Sequence, residues 1–273
     1  MNIAITGSTG LVGSRICELL NHDFHFIPIT HQSLDITDEK QVRERLSREN
    51  YDIFLHLAAY TNVDGAETER AQAHAINVTG TQNLFRATQE KNKKFIYFST
   101  DFVFDGRNPP YTETSNPHPI GYYGQSKWEG EQVLNKEATI IRISYPYSPA
   151  LRVKPDFVQR IKTLLEQGHE LQMITDSSMT PTHIDDIAEA LKHILPNPLP
   201  EIYHIVGTQT LSPFESGQMI AKHYGLSADL IKPTTYEEYM KNRAQRPRYS
   251  EITSINNTFH TMRGFVDGLK NIQ

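Results

Sequence analysis

The chain has 273 residues, long for one compact core and short for two independent domains, so one large domain or a main domain with a smaller appendage is expected. Hydrophobic residues at 38%, charged residues at 22%, and 15 each of glycine and proline exclude fibrous and disordered classes. The net charge of −5, from 27 basic and 32 acidic residues, argues against a nucleic-acid partner and leaves a small molecule as the expected one.

The chain opens directly into a strand-like run, 2–6, with no basic stretch ahead of it, so no signal peptide is expected. No apolar run along the chain is long enough to cross a bilayer, so no membrane partner is expected either. Gly7-Ser8-Thr9-Gly10-Leu11-Val12-Gly13 follows, between this strand and a helix over 11–20. Gly7 suits a tight turn, Gly10 lets backbone N–H groups approach a pyrophosphate, and Gly13 lets the helix pack close to the strand. The helix N-terminus adds its partial positive charge, so a dinucleotide cofactor is expected here rather than a plain turn. Cys17, the one cysteine, lies in this helix, packed under the loop; it excludes an internal disulfide and fits a reducing cytoplasm. His22 and His25 flank the turn that follows and read as surface histidines, since no third metal ligand is near.

The second strand, 24–29, ends in Thr30-His31-Gln32-Ser33, without the carboxylate that would hold both ribose hydroxyls of NAD. Arg15, His31 and Ser33 could reach a 2′-phosphate, so NADP (as NADPH) is expected ahead of NAD. Asp35 is placed to meet an adenine amine, while Asp38 reads as the cap of a helix over 38–48. A third strand, 52–57, runs into the small residues Ala58 and Ala59, which leave room for a ribose. A long helix is expected over 69–91, with Asn77 either kinking it or anchoring a water near Lys127.

The fourth strand, 94–99, ends in the hydroxyls of Ser99 and Thr100, where a substrate carbonyl would be held. Tyr123 and Lys127 stand four residues apart at the start of a helix over 124–136, so they share one face. A phenol with an ordinary pKa near 10 is a poor catalyst at neutral pH, and a nearby ammonium is expected to lower it. Tyr122 has Ser126 at that spacing and lacks such help; Trp128 reads as packing.

A fifth strand, 139–143, is followed by polar and proline-rich sequence over 145–155, a helix over 155–167, and one over 184–194 with Thr182 as its cap. Beside His183, Asp185 and Asp186 read as first-turn acids rather than metal ligands, and no metal site is expected. A sixth strand covers 202–206, and Ser212-Pro213-Phe214-Glu215 carries a capping box with proline at the first helical position. Short helices are expected over 236–243 and 265–271, with Arg246 and Arg248 between them open to a diphosphate or to solvent. Strand–helix alternation of this kind marks an α/β fold with a doubly wound parallel sheet. The dinucleotide-binding domain is expected over 1–146 with 181–206 returning to it, and a smaller interleaved substrate lobe over 147–180 and 207–273. No HExxH, GxSxG or GxxxxGK[ST] pattern occurs, which removes zinc-protease, hydrolase and P-loop readings.

Together the glycine loop, 34–38, 57–66, 77–84, Ser99-Thr100-Asp101-Phe102-Val103-Phe104-Asp105-Gly106, 123–131, 181–188 and 246–250 resemble the extended short-chain dehydrogenases, most closely the dTDP-4-dehydrorhamnose reductase group. The resemblance runs nearly end to end. It implies a Rossmann fold, a catalytic set of Thr100, Tyr123 and Lys127, and NAD(P)H-dependent reduction of a nucleotide-sugar ketone at C4. It also implies a cofactor site of Gly7, Thr9, Gly10, Leu11, Val12 and Gly13, with Asp35, Ile36, Ala58, Ala59, Tyr60, Asn77, Ser99, Tyr123 and Lys127. The implied substrate contacts are Thr100, Phe102, Val103, Tyr145, Thr182 and Arg246, and the resemblance admits a cytoplasmic homodimer. Tyr145 stands where the family has a tryptophan, and Asp176-Ser177-Ser178-Met179-Thr180-Pro181-Thr182 departs from its Asp-Gln-x-Gly-x-Pro-Thr, which leaves the sugar open. The chain is also similar to the regulatory β subunit of methionine adenosyltransferase, over 105–111 and 244–248, so a binding role without catalysis is the alternative, as is a nucleotide-sugar epimerase or dehydratase.

Overall fold

The computed structural model describes residues 1–148 and 155–270; the stretch 149–154 and Asn271, the end of the expected last helix, lie outside the described residues. In chain order, β1 (Asn2–Thr6) passes through the glycine turn into α1 (Leu11–Leu20), β2 (His25–Ile29), α2 (Glu39–Arg48) and β3 (Ile53–His56). Short helices α3 (Gly65–Thr68) and α4 (Arg70–His74) precede a π-helical turn, Ala75–Gly80, and α5 (Thr81–Glu90). Next come β4 (Lys94–Thr100), α6 (Tyr122–Gln132), β5 (Thr139–Ile143), β6 (Pro146–Tyr147), α7 (Phe157–Glu166), β7 (Leu171–Ile174), β8 (Ser178–Met179) and β9 (Thr182–His183). The chain continues through α8 (Ile184–Ile194), β10 (Ile202–His204), α9 (Pro213–Tyr224), β11 (Ile231–Thr234), α10 (Tyr236–Met240), β12 (Tyr249–Ser250) and α11 (Phe265–Lys270).

Six strands form one parallel sheet in the order β10-β5-β4-β3-β1-β2. Side-chain alternation covers both faces. Ile3, Ile5, Leu55, Ile96 and Phe98 pack with Ile16 of α1 and Ile187 and Leu191 of α8, whereas Ala4, Phe54, Phe95 and Tyr97 pack with Val42 of α2 and Leu84 of α5. Because β1 lies between β2 and β3, the winding reverses beside it, and the glycine turn opens at that switch point. Outside the main sheet, among the described residues, are three small parallel pairs, β7 with β11, β8 with β12, and β6 with β9.

Local chemistry explains where the elements differ from expectation. The helix expected over 69–91 is broken by the π turn around Asn77, whose side chain bonds to Tyr60 and Ser126 instead of facing solvent. The helix expected over 124–136 begins at Tyr122, and its end is set by the positive φ of Asn135 and Lys136. Thr182 does not cap α8: its hydroxyl donates to the Ser144 carbonyl at 2.7 Å, and His183 occupies the cap position. By contrast, Asp38 caps α2, and Ser212 with Glu215 forms the expected capping box of α9.

Candidate functional site

Three turns meet at the carboxyl edge of the sheet. In the first, Gly7 has φ +73°, and a Cβ there would lie 2.8 Å from the backbone of residues 57 and 58. A Cβ on Gly13 would lie 2.3 Å from the Gly7 carbonyl, so α1 leaves β1 at a distance only glycine permits. No side chain caps α1 and no acid sits in its first turn, so the N–H groups of Leu11, Val12 and Gly13 remain available to an anion, with Thr9 exposed beside them. Cys17 is not under this loop; it packs on the core cluster shared by α1 and α8, and burial pushes its thiol up to about 11.

Arg15, expected near a 2′-phosphate, is committed elsewhere. Its guanidinium grips Asp185 through two hydrogen bonds of 2.6 and 2.7 Å and also holds Glu18, because α1 and α8 pack side by side. His31 and Ser33 stay exposed at the end of β2, where Ser33 folds back on Thr30. Asp35 is exposed and accepts from the N–H and hydroxyl of Thr37, while Ile36 rests against Gly80.

In the second turn, Ala58, Ala59 and Tyr60 are half-buried after β3. Asn77 accepts from the Tyr60 N–H at 2.8 Å and donates to the Tyr60 carbonyl and to Ser126 Oγ, so the π turn ties this segment to α6. Of the two roles read from the sequence for Asn77, the break in the helix is the one seen.

The third turn ends β4. Ser99 Oγ is buried without a hydrogen-bond partner, an unusual cost for a hydroxyl and a sign of a ligand-facing position. Thr100 Oγ1 donates to Asp101 at 3.1 Å. Helix α6 presses against this turn, since a Cβ on Gly124 would lie 2.1 Å from the Phe102 carbonyl. Tyr123 is thereby set edge-on to Phe102, with ring centroids 5.7 Å apart, and Lys127 sits one turn on with Nζ donating to the Phe98 carbonyl at 2.8 Å. The structure thus brings Ser99, Thr100, Tyr123 and Lys127 to one corner.

Electrostatics there differs from expectation. Burial and the Asp101 carboxylate push the Tyr123 phenol up to about 12, against the hydrogen bond of Thr100. Burial also pushes Lys127 down to about 7, against the attraction of Glu131. Lowering of the phenol by the ammonium is not seen; desolvation outweighs it for both groups. Asp101 itself is raised to about 6 by burial, despite hydrogen bonds from Ser250, Ser144 and Thr100.

A cavity of about 620 Å³ opens beside this corner, lined by Tyr145, Phe157, Met173, Tyr236, Tyr239, Arg243 and Arg246 among others. Tyr145 has φ +40°, a rare strained conformation for a tyrosine, and its ring lies 6.3 Å from Phe102, linking the cavity to Tyr123. Arg246 pairs with Asp64 at 2.9 Å, and Arg248 pairs with Asp176, so neither is the free cation read from the sequence. Val103 and Thr182 are wholly buried, the former with Phe104, Tyr111 and Ile252, and do not reach the cavity wall. Trp128 packs on that same cluster. Sequence reasoning missed Tyr236, Tyr239 and Arg243; the aromatic and arginine density of 236–248 was the available signal. Among the described residues no group of acids, histidines or cysteine is arranged to hold a metal, and no helix is long and apolar enough to cross a membrane.

The open first turn of α1, the close glycine backbone and the unpartnered Ser99 hydroxyl fit a dinucleotide lying across the switch point. Over 262 residues, 92% of this chain and 84% of the relative, the chain is 30% identical to dTDP-4-dehydrorhamnose reductase of Mycobacterium tuberculosis. It is 26% identical over 250 residues, 85% of this chain and 75% of the relative, to methionine adenosyltransferase 2 subunit beta of Xenopus laevis. The crystal structure of dTDP-4-dehydrorhamnose reductase from Bacillus anthracis in complex with NADP superposes with a TM-score of 0.92 at 32% identity, covering 99% of this chain and 98% of that one. The model of the RmlD substrate binding domain family matches residues 1–270, and the chain belongs to that family.

Proposed function

We propose that the protein is an NADPH-dependent reductase of a 4-keto nucleotide sugar. The observation that carries this reading is the meeting of Thr100, Tyr123 and Lys127 across from the open N-terminus of α1. Support comes from the relatives: a reductase of dTDP-4-dehydrorhamnose at 30% identity and one with NADP bound at 32%.

When bound, the reduced nicotinamide would supply a hydride to the ketone carbon. The chain's own residues handle the oxygen. Ser99 and Thr100 offer hydroxyls to hold the carbonyl. With a pKa near 12, Tyr123 carries its proton at neutral pH, the form a reduction needs from its acid. Lys127 then steadies the phenolate left behind. On this reading Gly7–Gly13, Asp35–Ile36, Ala58–Tyr60 and Asn77 form the cofactor bed, and the lobe of 147–180 and 207–273 closes the 620 Å³ cavity around the nucleotide sugar. The protein works in the cytoplasm, where its thiol stays reduced.

The test mixes the protein with dTDP-4-dehydrorhamnose and NADPH and follows the absorbance of the reduced cofactor. Turnover with one cofactor consumed per ketone supports the reductase, and a parallel run with NADH ranks the cofactors. Tight NADPH binding without turnover on any keto sugar replaces this reading with the regulatory one, which the adenosyltransferase relative represents.

A further inference from the structure

Lys127 is 3% exposed, and an ammonium carries three N–H donors that must find partners when buried. One goes to the Phe98 carbonyl. On its other side lies the ring of Tyr97 from β4, with Nζ 4.1 Å from the ring centroid, well within the range of cation–π attraction.

Tyr97 is held as a fixed platform. It is wholly buried, and its hydroxyl donates to the Lys127 carbonyl at 3.4 Å. Space for that hydroxyl comes from Gly130, where a Cβ would lie 2.5 Å from Tyr97 Oη and 2.6 Å from the Asn77 carbonyl. The His56 ring of β3 lies 5.6 Å from the Tyr97 ring and is itself pinned between Thr6 Oγ1 at 2.6 Å and Thr81 Oγ1 at 3.1 Å.

Of the other titratable groups around Lys127, Glu131 on the same helix also favours the charged form, but its carboxylate is shared with Arg142 through hydrogen bonds of 2.9 and 2.6 Å. His56 is neutral, pushed down to about 3 by burial and by the lysine charge. Tyr123 on α6 is a protonated phenol, and Asp101 after β4 accepts from Thr100 and Ser144.

We propose that Tyr97 is a positioning residue for the reaction, its ring face holding the Lys127 ammonium charged and fixed beneath Tyr123. The proposal rests on the reading of Lys127 as part of the reductase machinery. Burial alone drives Lys127 toward the neutral amine at physiological pH, and an attractive π face opposes that drift without adding a negative charge that would raise the phenol further.

The experiment reads Lys127 directly, without cofactor or substrate, by following its 13Cε NMR signal against pH; the signal is assigned by its loss in Lys127→Met. Tyr97→Phe keeps the ring face and should leave the titration close to wild type. Pentafluorophenylalanine at position 97 keeps the shape but reverses the ring's charge distribution, and Tyr97→Leu removes it. Both should lower the Lys127 midpoint by about 0.5–1.5 pH units relative to Tyr97→Phe. In an active preparation the high-pH limb of kcat should move down by the same amount. A midpoint for the fluorinated ring equal to that of Tyr97→Phe overturns the proposal, and because that variant preserves packing, failure of Tyr97→Leu to fold does not obscure the answer. If wild type reduces no keto sugar, the reductase reading falls on that assay while the NMR titration still decides whether Tyr97 holds the cation.

Discussion

Tyr123 and Tyr122 are neighbours with opposite surroundings, which makes them a matched pair. Tyr123 faces Phe102 and Thr100 in the buried corner, whereas Tyr122 lies under the Arg70 guanidinium and its N–H is held by Glu67 at 2.7 Å. Tyr123→Phe should lower turnover by about 10²–10⁴-fold with little change in NADPH affinity. Lys127→Met should damage both turnover and affinity, and Tyr122→Phe should keep most activity. Steady-state rates and cofactor titration check all three; a larger loss from Tyr122→Phe than from Tyr123→Phe would reassign the acid. Behind the corner, Arg142 and Glu131 form an ion pair whose side chains are each 2% exposed. Glu131→Gln leaves a buried cation without its counter-charge, facing His204 and the Phe104 ring, and should cost about 3–5 kcal/mol of stability in urea unfolding. The apolar double change Glu131→Leu with Arg142→Met should recover most of that loss, since it removes both charges.

Close backbone approach is what sets α1, and it depends on hydrogen atoms where other residues carry Cβ. Gly13→Ala would place a methyl 2.3 Å from the Gly7 carbonyl and 2.9 Å from its carbon, both parts of rigid backbone. Helix α1 must then withdraw from β1, which should cost about 1–3 kcal/mol and lower NADPH affinity at least tenfold, measurable by thermal melting and fluorescence titration. The π turn is the second element with a functional geometry. A regular helix would carry Asn77 around to a different face, whereas the wider turn aims its amide at Tyr60 and Ser126 together. An asparagine in an otherwise helical pattern hinted at a break; which two segments it joins depends on residues 17 and 49 positions away.

Across the whole molecule, buried histidines decide the response to acid. Burial lowers His56 to about 3 and His204 to about 4. Groups depressed in this way contribute stability above the ordinary histidine value near 6.5, and it is lost as pH falls toward the folded values. Asp101, raised to about 6, runs the other way: its contribution is present below the ordinary value near 4 and lost as pH rises through 6. Two histidines outweigh one carboxyl, so stability should fall by about 1 kcal/mol or more per pH unit between pH 6 and 4. Urea unfolding at pH 7.5, 6 and 5 measures it, and His56→Gln with His204→Gln should flatten the dependence; an unchanged midpoint from pH 7.5 to 5 would contradict the assignment.

Much of this architecture was legible locally. Alternation such as Ile3, Ala4, Ile5 marks a strand covered on both faces, and glycines at 7, 10 and 13 mark a close turn, because these signals act between near neighbours through backbone sterics and periodicity. The four-residue step from Tyr123 to Lys127 survives on any helix, so their shared face could be read in advance. What the tertiary structure alone decided is who meets whom across the chain. Arg15 reaches Asp185, Arg246 reaches Asp64, and Tyr97 slides beneath Lys127. Charge pairing and desolvation depend on those distant neighbours, which is why the sequence could place Tyr123 and Lys127 on one helix face yet could not say that burial, not mutual attraction, sets where each one titrates.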